Sequence, residues 1–403
     1  MEESISLERA VELITGSAAP LGSEEITPSD SLGRVLARDV FAPIDQPPFS
    51  RSPLDGYAFR AADSAGASQD TPAVLTVVDT VFAGGWCGKT VGPGQAVRIM
   101  TGAPIPQGCD CVIRQEDTNQ GAERVEIYQS LRPFENYCHR GEDFKRGEIL
   151  LPAGAVLDGT ALGVLASAGL FRDDVELSVR RVPRAALLCT GDELAENHVR
   201  PLPPGKIYSS NRACLWGRLT ALGIPVASAP TGCADEPEEI AAALRELAEA
   251  ADVIITTGGV SVGARDAFHQ ALPLLGAERL FWRVRCKPGT PAMYAVCRGK
   301  PILCLSGNPF AASATFELLG RPLLAALAGR PSLCPLKAVG TLETDFPKGG
   351  GMRRFVRGCF REGRVALPQG HSPGQLRSAV GTNCLVELNG PAQAGERVTV
   401  YIL

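Results

Sequence analysis

The sequence predicts a multidomain α/β plus β protein: a parallel-sheet α/β domain, an inserted small β domain, a discontinuous N-terminal domain and a C-terminal β-barrel. Three observations carry this expectation. Between about residues 178 and 330, short apolar runs alternate with helical stretches, the pattern of a parallel sheet covered on both faces. From about Tyr57 to Asn136, and again from Pro331 onward, β-branched segments are separated by turn residues. A chain of 403 residues is also too long for one ordinary core, which sets an expectation of ~2 to 4 domains.

Each element follows from its local pattern. SLERAVELI (6–14) has helical periodicity and ends near Gly16, and Ser29 to Leu36 is expected as a second short helix. DVFAPIDQPPFSRSPLDG (39–56) is proline-rich without helical period, an extended connector into a loop. AVLTVVDTV (73–81) and QAVRIM (95–100) are strands of the small β domain. Asp158 caps the helix DGTALGVLASAGL and Gly169 stops it. Return of this helix onto the N-terminal one would make the first domain discontinuous, 1–48 with 143–177, around an inserted 49–142.

Within 178–330, RAALLCT (184–190), IPVASAP (224–230), DVIITT (252–257) and PILCLS (301–306) are strands. Asn211 caps RACLWGRLTALG, which ends at Gly223. EPEEIAAALRELAEA (236–250) carries acids in its first turn, as the helix dipole favours, and FAASATFELLGRPLLAALAG (310–329) is a long helix. VGTLETDF, RRFVRGCF, CLVELN and RVTVYIL form the barrel, 331–403.

Composition narrows the function. With 40 basic against 44 acidic residues the net charge is −4, which gives no electrostatic case for broad nucleic-acid binding. The start MEESISLERAVELI lacks the basic opening of a signal peptide, and no stretch approaches the ~18 unbroken apolar residues of a membrane span. The 13 cysteines include no C-x-x-C and the four histidines no H-x-x-x-H, which argues against zinc. An odd cysteine count predicts reduced thiols, mostly buried as small apolar residues, in a cytoplasmic protein.

In a parallel sheet, ligands bind at the carboxyl ends of the strands. Three loops leave such ends: Thr190-Gly191-Asp192-Glu193, Gly258 to Asp266, and Ser306-Gly307-Asn308-Pro309. Glycines allow close approach of a ligand and free backbone N–H groups for an oxyanion, so TTGGVSVG (256–263) reads as an anion cradle. No Gly-Lys-Ser/Thr closes it, so it is not a P-loop. Asp192, Glu193 and Asp266 fall at one rim, with Asp235 at a neighbouring strand end. Acids beside an anion cradle repel the ligand unless a cation such as Mg²⁺ bridges carboxylates and phosphate oxygens. For each acid alone, the bland role is a helix cap or an exposed charge, and that role suits Asp235 better than Glu193 or Asp266.

These loops belong to a longer set of separated motifs. They are PFSRSPLDGYA (48–58), TGAPIPQGCDCVIRQED (101–117), RGEDFKRGEILLPAG (140–154), PRAALLCTGDEL (183–194), DVIITTGGVSVGARD (252–266), KPGTP (287–291) and LSGNP (305–309). By their order and spacing over almost the full length, the chain resembles the molybdopterin molybdenumtransferases, the MoeA family that includes the gephyrin E domain. The resemblance implies an elongated four-part homodimer whose α/β domain is of the molybdopterin-binding type, similar to that of molybdopterin adenylyltransferases. Its active cleft would lie between that domain of one subunit and the β domain of the other. The implied reaction inserts molybdenum from molybdate into adenylated molybdopterin, with Mg²⁺-dependent loss of AMP. The implied partners, beyond these two substrates, are the adenylyltransferase and downstream molybdoenzymes, with neither nucleic acid nor membrane.

The resemblance also implies residue roles. Glu193, Asp235 and Asp266 are placed at the nucleotide and metal site, and Asp55 and Asp143 on the facing side of the cleft. Thr101 donates a hydroxyl to an oxyanion, and Lys287 stabilises charge on phosphate or molybdate. Thr190, Gly191, Gly258, Gly259, Ser261, Gly263, Ser306, Gly307, Asn308 and Pro309 bind the ligand's anionic groups. Four positions depart from the family's common pattern: Thr290 stands for a lysine, Ser306 for a proline, Cys138 for a basic residue, and Thr382 for the alanine before Asn383. Two of these remove positive charge, for which Arg140, Arg265, Arg285 and Arg353 are candidate substitutes. The alternative reading is a diverged relative that binds pterin, nucleotide or a partner without efficient insertion.

Overall fold

The computed structural model describes residues 1–195, 198–227, 231–260, 267–370, 372 and 374–403. They divide into two compact units, Met1–Glu24 with Val179–Leu403, and Glu25–Ser178.

The larger unit is built on an eight-stranded sheet. Its order is Glu2–Ile5, Glu278–Val284, Met293–Cys297, Lys300–Leu305, Val253–Thr257, Ala185–Thr190 and Val226–Ala227, with Thr231–Cys233 also paired to Ala185–Thr190. Ala185–Thr190, Val253–Thr257 and Lys300–Leu305 are parallel and almost wholly buried, so their sequences are unbroken apolar runs rather than alternating ones. The sheet is mixed, not all parallel as expected, because Met293–Cys297 runs antiparallel to both neighbours. Arg298 (φ 50°) and Gly299 (φ 79°) make the two-residue hairpin turn that forces the reversal.

Residues 1–24 also depart from expectation. Glu2–Ile5 takes the open edge of this sheet, in parallel with Glu278–Val284, and satisfies backbone groups that would otherwise be unpaired. The helix Leu7–Ser17, capped by the Ser6 side chain, then buries Leu7, Ala10 and Ile14 in the same core. The helix Gly159–Ser167, capped by Asp158 Oδ1 accepting from the Ala161 N–H at 2.8 Å, belongs to the other unit.

The long helix Pro309–Ala328 passes through a π-helical turn at Phe316–Gly320 and ends at Gly329, φ 59°. It is long and apolar enough to cross a membrane, but it is buried inside the protein. Its one central acid, Glu317, is 2% exposed and accepts from Arg321 Nη1 at 3.0 Å and from Arg218 of the helix Ser210–Ala221. The C-terminal segments close into a five-stranded barrel, order Leu336–Leu342, Arg364–Ala366, Arg354–Arg361, Cys384–Leu388 and Arg397–Ile402. Phe355, Leu385 and Tyr401 of the barrel share the sheet's core. Arg353 ties the barrel to the N-terminal helix, binding Glu387 at 2.7 Å, the Tyr401 hydroxyl at 3.2 Å, and Glu8.

The second unit holds a five-stranded sheet, order Cys111–Arg114, Gly56–Phe59, Gln95–Ile99, Ala73–Val81 and Arg124–Ile127. Period-two alternation buries Tyr57 and Phe59 on one face and Ala58, Val97 and Val112 on the other. The helix expected over Ser29–Leu36 is only a 3₁₀ turn, Pro28–Asp30. Gly33 (φ 76°) breaks it, and Gly33 and Leu36 instead donate to Leu157 and Ala155 carbonyls.

Removing Glu317 would strand the buried Arg321 guanidinium beside a second cation. Glu317→Ala is expected to destabilise the larger unit by roughly 3–5 kcal/mol in chemical denaturation.

Candidate functional site

The three loops at the carboxyl ends of the parallel strands touch backbone to backbone. Gly258 has φ 98°, and a Cβ there would lie 2.3 Å from the Thr190 carbonyl oxygen. A Cβ on Gly307 would sit 3.6 Å from the Gly258 Cα. The Gly258 N–H donates to the Leu305 carbonyl at 3.2 Å. Asn211 closes the row: its Nδ2 donates to the Gly307 carbonyl at 2.8 Å. Asn211 is therefore not the helix cap expected from sequence; Ser209 holds that position and the helix starts at Ser210. Asn308 is the N-cap residue of the helix that begins at Pro309.

These loops floor a cavity of about 940 Å³ between the sheet and the barrel. Thr190, Gly191, Glu193, Asp235, Gly258, Gly259, Lys287, Ser306, Gly307, Asn308 and Pro309, all expected from sequence, line it together. The barrel side is joined to the Lys287 loop by two backbone bonds, Lys287 N–H to the Arg353 carbonyl at 2.9 Å and Phe355 N–H to the Lys287 carbonyl at 2.7 Å. Those bonds bring Lys287 and Arg354 to the same wall, with Lys348 nearby on the lining. Sequence reasoning missed Lys348, Arg354, Ser209 and the cavity role of Asn211. The Arg353-Arg354 doublet was the available signal, but strand alternation sends the two side chains opposite ways. Arg353 is bound by Glu8, Glu387 and Tyr401 and is absent from the cavity lining, and Arg140 binds Asp45 at 2.5 Å in the other unit. The Thr290 hydroxyl donates to the Cys286 carbonyl at 2.7 Å and so braces its own turn.

The acids sit at the strand ends. Burial pushes the Asp235 carboxyl above its ordinary range, and the charges of Asp192 and Glu193 push the same way. The Thr190 hydroxyl opposes this shift without reaching good hydrogen-bond geometry: Thr190 Oγ1 and Asp235 Oδ1 are both buried and lack a partner among the described residues. No three Asp, Glu, His or Cys side chains among the described residues are grouped to hold a metal. Ser261, Gly263, Arg265 and Asp266 lie outside the described residues.

Asp55, Thr101 and Asp143 belong to the second unit. Asp55 Oδ1 accepts from the Thr101 N–H at 2.7 Å and from its hydroxyl at 2.8 Å, which holds the Asp55 carboxyl below its ordinary range. The Thr101 hydroxyl thus donates to Asp55, not to a free oxyanion position. Asp143 is exposed, with its N–H on the Gln46 carbonyl at 2.9 Å.

Two expectations follow. Gly258→Ala should destabilise the fold by at least ~1–3 kcal/mol through left-handed strain, with further loss from the Thr190 contact, read as a lowered Tm. For Asp235 the folded carboxyl binds its proton more tightly than the unfolded one. Stability contributed by this site is therefore greatest below the ordinary aspartate pKa and falls as pH rises through the elevated folded value. Asp235→Asn should abolish that fall and leave the ligand-free variant more stable than the parent at pH 7, measured by denaturation across pH.

The chain matches three family models in succession. The MoeA N-terminal region, domains I and II, covers residues 5–169; a probable molybdopterin binding domain covers 186–326; and the MoeA C-terminal region, domain IV, covers 339–403. It is 34% identical over 406 residues to the molybdopterin molybdenumtransferase of Staphylococcus aureus strain N315, spanning 99% of this chain and 95% of that one. The Staphylococcus epidermidis relative of the same name is 34% identical over 405 residues with the same coverage. A crystal structure of the molybdopterin biosynthesis MoeA protein from Pyrococcus horikoshii OT3 superposes with a TM-score of 0.86 at 26% identity, covering 99% of this chain and 100% of that one. A second MoeA structure from Pyrococcus gives 0.80 at 28%, covering 99% of each chain. With a full-length relative at this identity, the same three regions in order and the same architecture, the chain belongs to the molybdopterin molybdenumtransferase (MoeA) family of transferases.

Proposed function

We propose that this chain inserts molybdenum from molybdate into adenylated molybdopterin, with Mg²⁺-dependent release of AMP. The observation that carries the reading is a single cavity joining a glycine-lined floor, two carboxylates and three cations: Glu193 and Asp235 with Lys287, Lys348 and Arg354. A pterin phosphate joined to AMP carries a pyrophosphate, and molybdate is a dianion. The floor at Gly259 and Gly307 would hold the pyrophosphate by backbone N–H donation. Lys287 and Arg354 hold the incoming oxyanion by charge-assisted hydrogen bonds. No side chain needs to act as a covalent nucleophile; holding the two substrates in register is the chain's main task.

The residues fit a magnesium ion. Mg²⁺ is usually held by one or two carboxylates with substrate phosphates and waters. Glu193 and the buried, unpartnered Asp235 Oδ1 would supply the carboxylates, with Asp266 as the third acid the family resemblance implies. Bound there, the ion would neutralise pyrophosphate charge as AMP departs. The same reading makes the protein a cytoplasmic homodimer in which Asp55, Thr101 and Asp143 of one copy complete the site of the other. The adenylyltransferase would deliver its substrate and a molybdoenzyme would receive its product.

The test is an insertion assay with purified protein, adenylated molybdopterin, Mg²⁺ and molybdate, following AMP release and metal incorporation. Both signals should appear only with molybdate present. Lys287→Ala should lower kcat/KM by roughly 10- to 100-fold, the value of a charge-assisted contact. Tight binding of adenylated molybdopterin with neither signal would favour the non-inserting relative instead.

A further inference from the structure

We propose that Asn211 recognises an exocyclic amino group on the planar ring of the ligand, acting as a hydrogen-bond acceptor; the inference rests on the cavity being the substrate site. Asn211 lies in the first turn of the helix Ser210–Ala221 and lines the cavity. Its amide orientation is fixed, because Nδ2 donates to the Gly307 carbonyl at 2.8 Å and a flipped amide would set two oxygens against each other. Oδ1 is then an acceptor, and it is buried with no donor among the described residues. Beside it, Ser209 is 5% exposed, and its Oγ is likewise buried without a partner there. A buried polar group without a partner is costly, so these atoms mark where a ligand's polar edge docks.

The chemistry of that edge follows. A phosphate or molybdate oxygen cannot satisfy an acceptor. A cation is disfavoured at a helix N-terminus, whose partial charge is positive. The remaining partner is an N–H or O–H donor. The surroundings favour a flat ring: Ile207, 54% exposed, and Tyr208 precede Ser209 on the lining. An amino-substituted nitrogen heterocycle offers both the flat face and the donor. Adenylated molybdopterin carries two such rings, the 6-aminopurine and the 2-aminopterin, and the shared group is the exocyclic amine.

The experiment compares amino and oxo ligands on the intact protein with Mg²⁺ present, by calorimetric titration. One pair is AMP against IMP. The other is 6-hydroxymethylpterin monophosphate against the corresponding lumazine, in which oxo replaces the 2-amino group. Inorganic pyrophosphate serves as a ring-free probe. The parent protein should prefer the amino member of one pair by about tenfold or more. Asn211→Ala should bring that ratio close to one. Loss of the AMP preference places the adenine at Asn211; loss of the pterin preference places the pterin there. The proposal is overturned if neither pair shows a preference in the parent, or if Asn211→Ala leaves the ratios intact. It is also overturned if that variant weakens every ligand equally, pyrophosphate included, since Asn211 would then act only through Gly307. Pyrophosphate binding by the parent without any ring preference would leave the anion-site reading standing while this one fell. Absence of pyrophosphate binding would remove both.

Discussion

The site depends on one constraint, the level ending of three parallel strands. The ladder pairs Cys189 with Thr257 and Thr257 with Leu305, so Thr190, Gly258 and Ser306 leave the sheet side by side. At that spacing there is no room for a side chain between the loops. A single Cβ on Gly258 would meet the Thr190 carbonyl at 2.3 Å. Close packing of bare backbone lets the three loops line one cavity, and the helices that follow add the positive ends of their dipoles. The buried strands fix the register, so the floor is as rigid as the core beneath it.

The opposite wall is positioned by a different device. The barrel shares a hydrophobic core with the sheet, and backbone bonds on both sides of Lys287 lock its loop to the barrel strand. The cavity therefore takes its acids from strand ends and its cations from the barrel side, within one compact unit. This arrangement has a cost in the resting protein. Asp235 is held where its charged form is disfavoured, and neighbouring acids add to the penalty. A site that stores such unpaired polarity gives up stability that only an occupant restores.

The fold class was legible because its signals are local. Apolar runs bounded by glycines marked the central strands, and Asp158 marked a helix start that the structure repeats. Most of the cavity floor was legible for the same reason, since glycine clusters at strand ends have a restricted set of uses. What escaped was tertiary. Nothing within residues 2–5 says that they pair with 278–284, a partner 279 residues on in the register Glu2 to Phe281. The antiparallel strand Met293–Cys297 is as apolar as its parallel neighbours, and the direction of a buried strand leaves no trace in composition. Arg353 and Arg354 are adjacent and chemically identical; which one faces the cavity is decided by strand alternation and by the acids Glu8 and Glu387 on one side only. Asn211 fitted a cap by sequence, and its real partner, Gly307, lies 96 residues on.

The chain leaves the larger unit after Glu24 and re-enters it at Val179. The two crossing points are neighbours, for the Arg181 N–H donates to the Gly22 carbonyl at 2.9 Å. Everything between is an excursion whose ends nearly meet. The sheet, the barrel and the cavity between them thus form a graftable module: a short bridge across that junction would close the chain without crossing any strand of the eight-stranded sheet. The same geometry makes the junction a natural point for exchanging one excursion for another, so the two units are free to diverge at different rates.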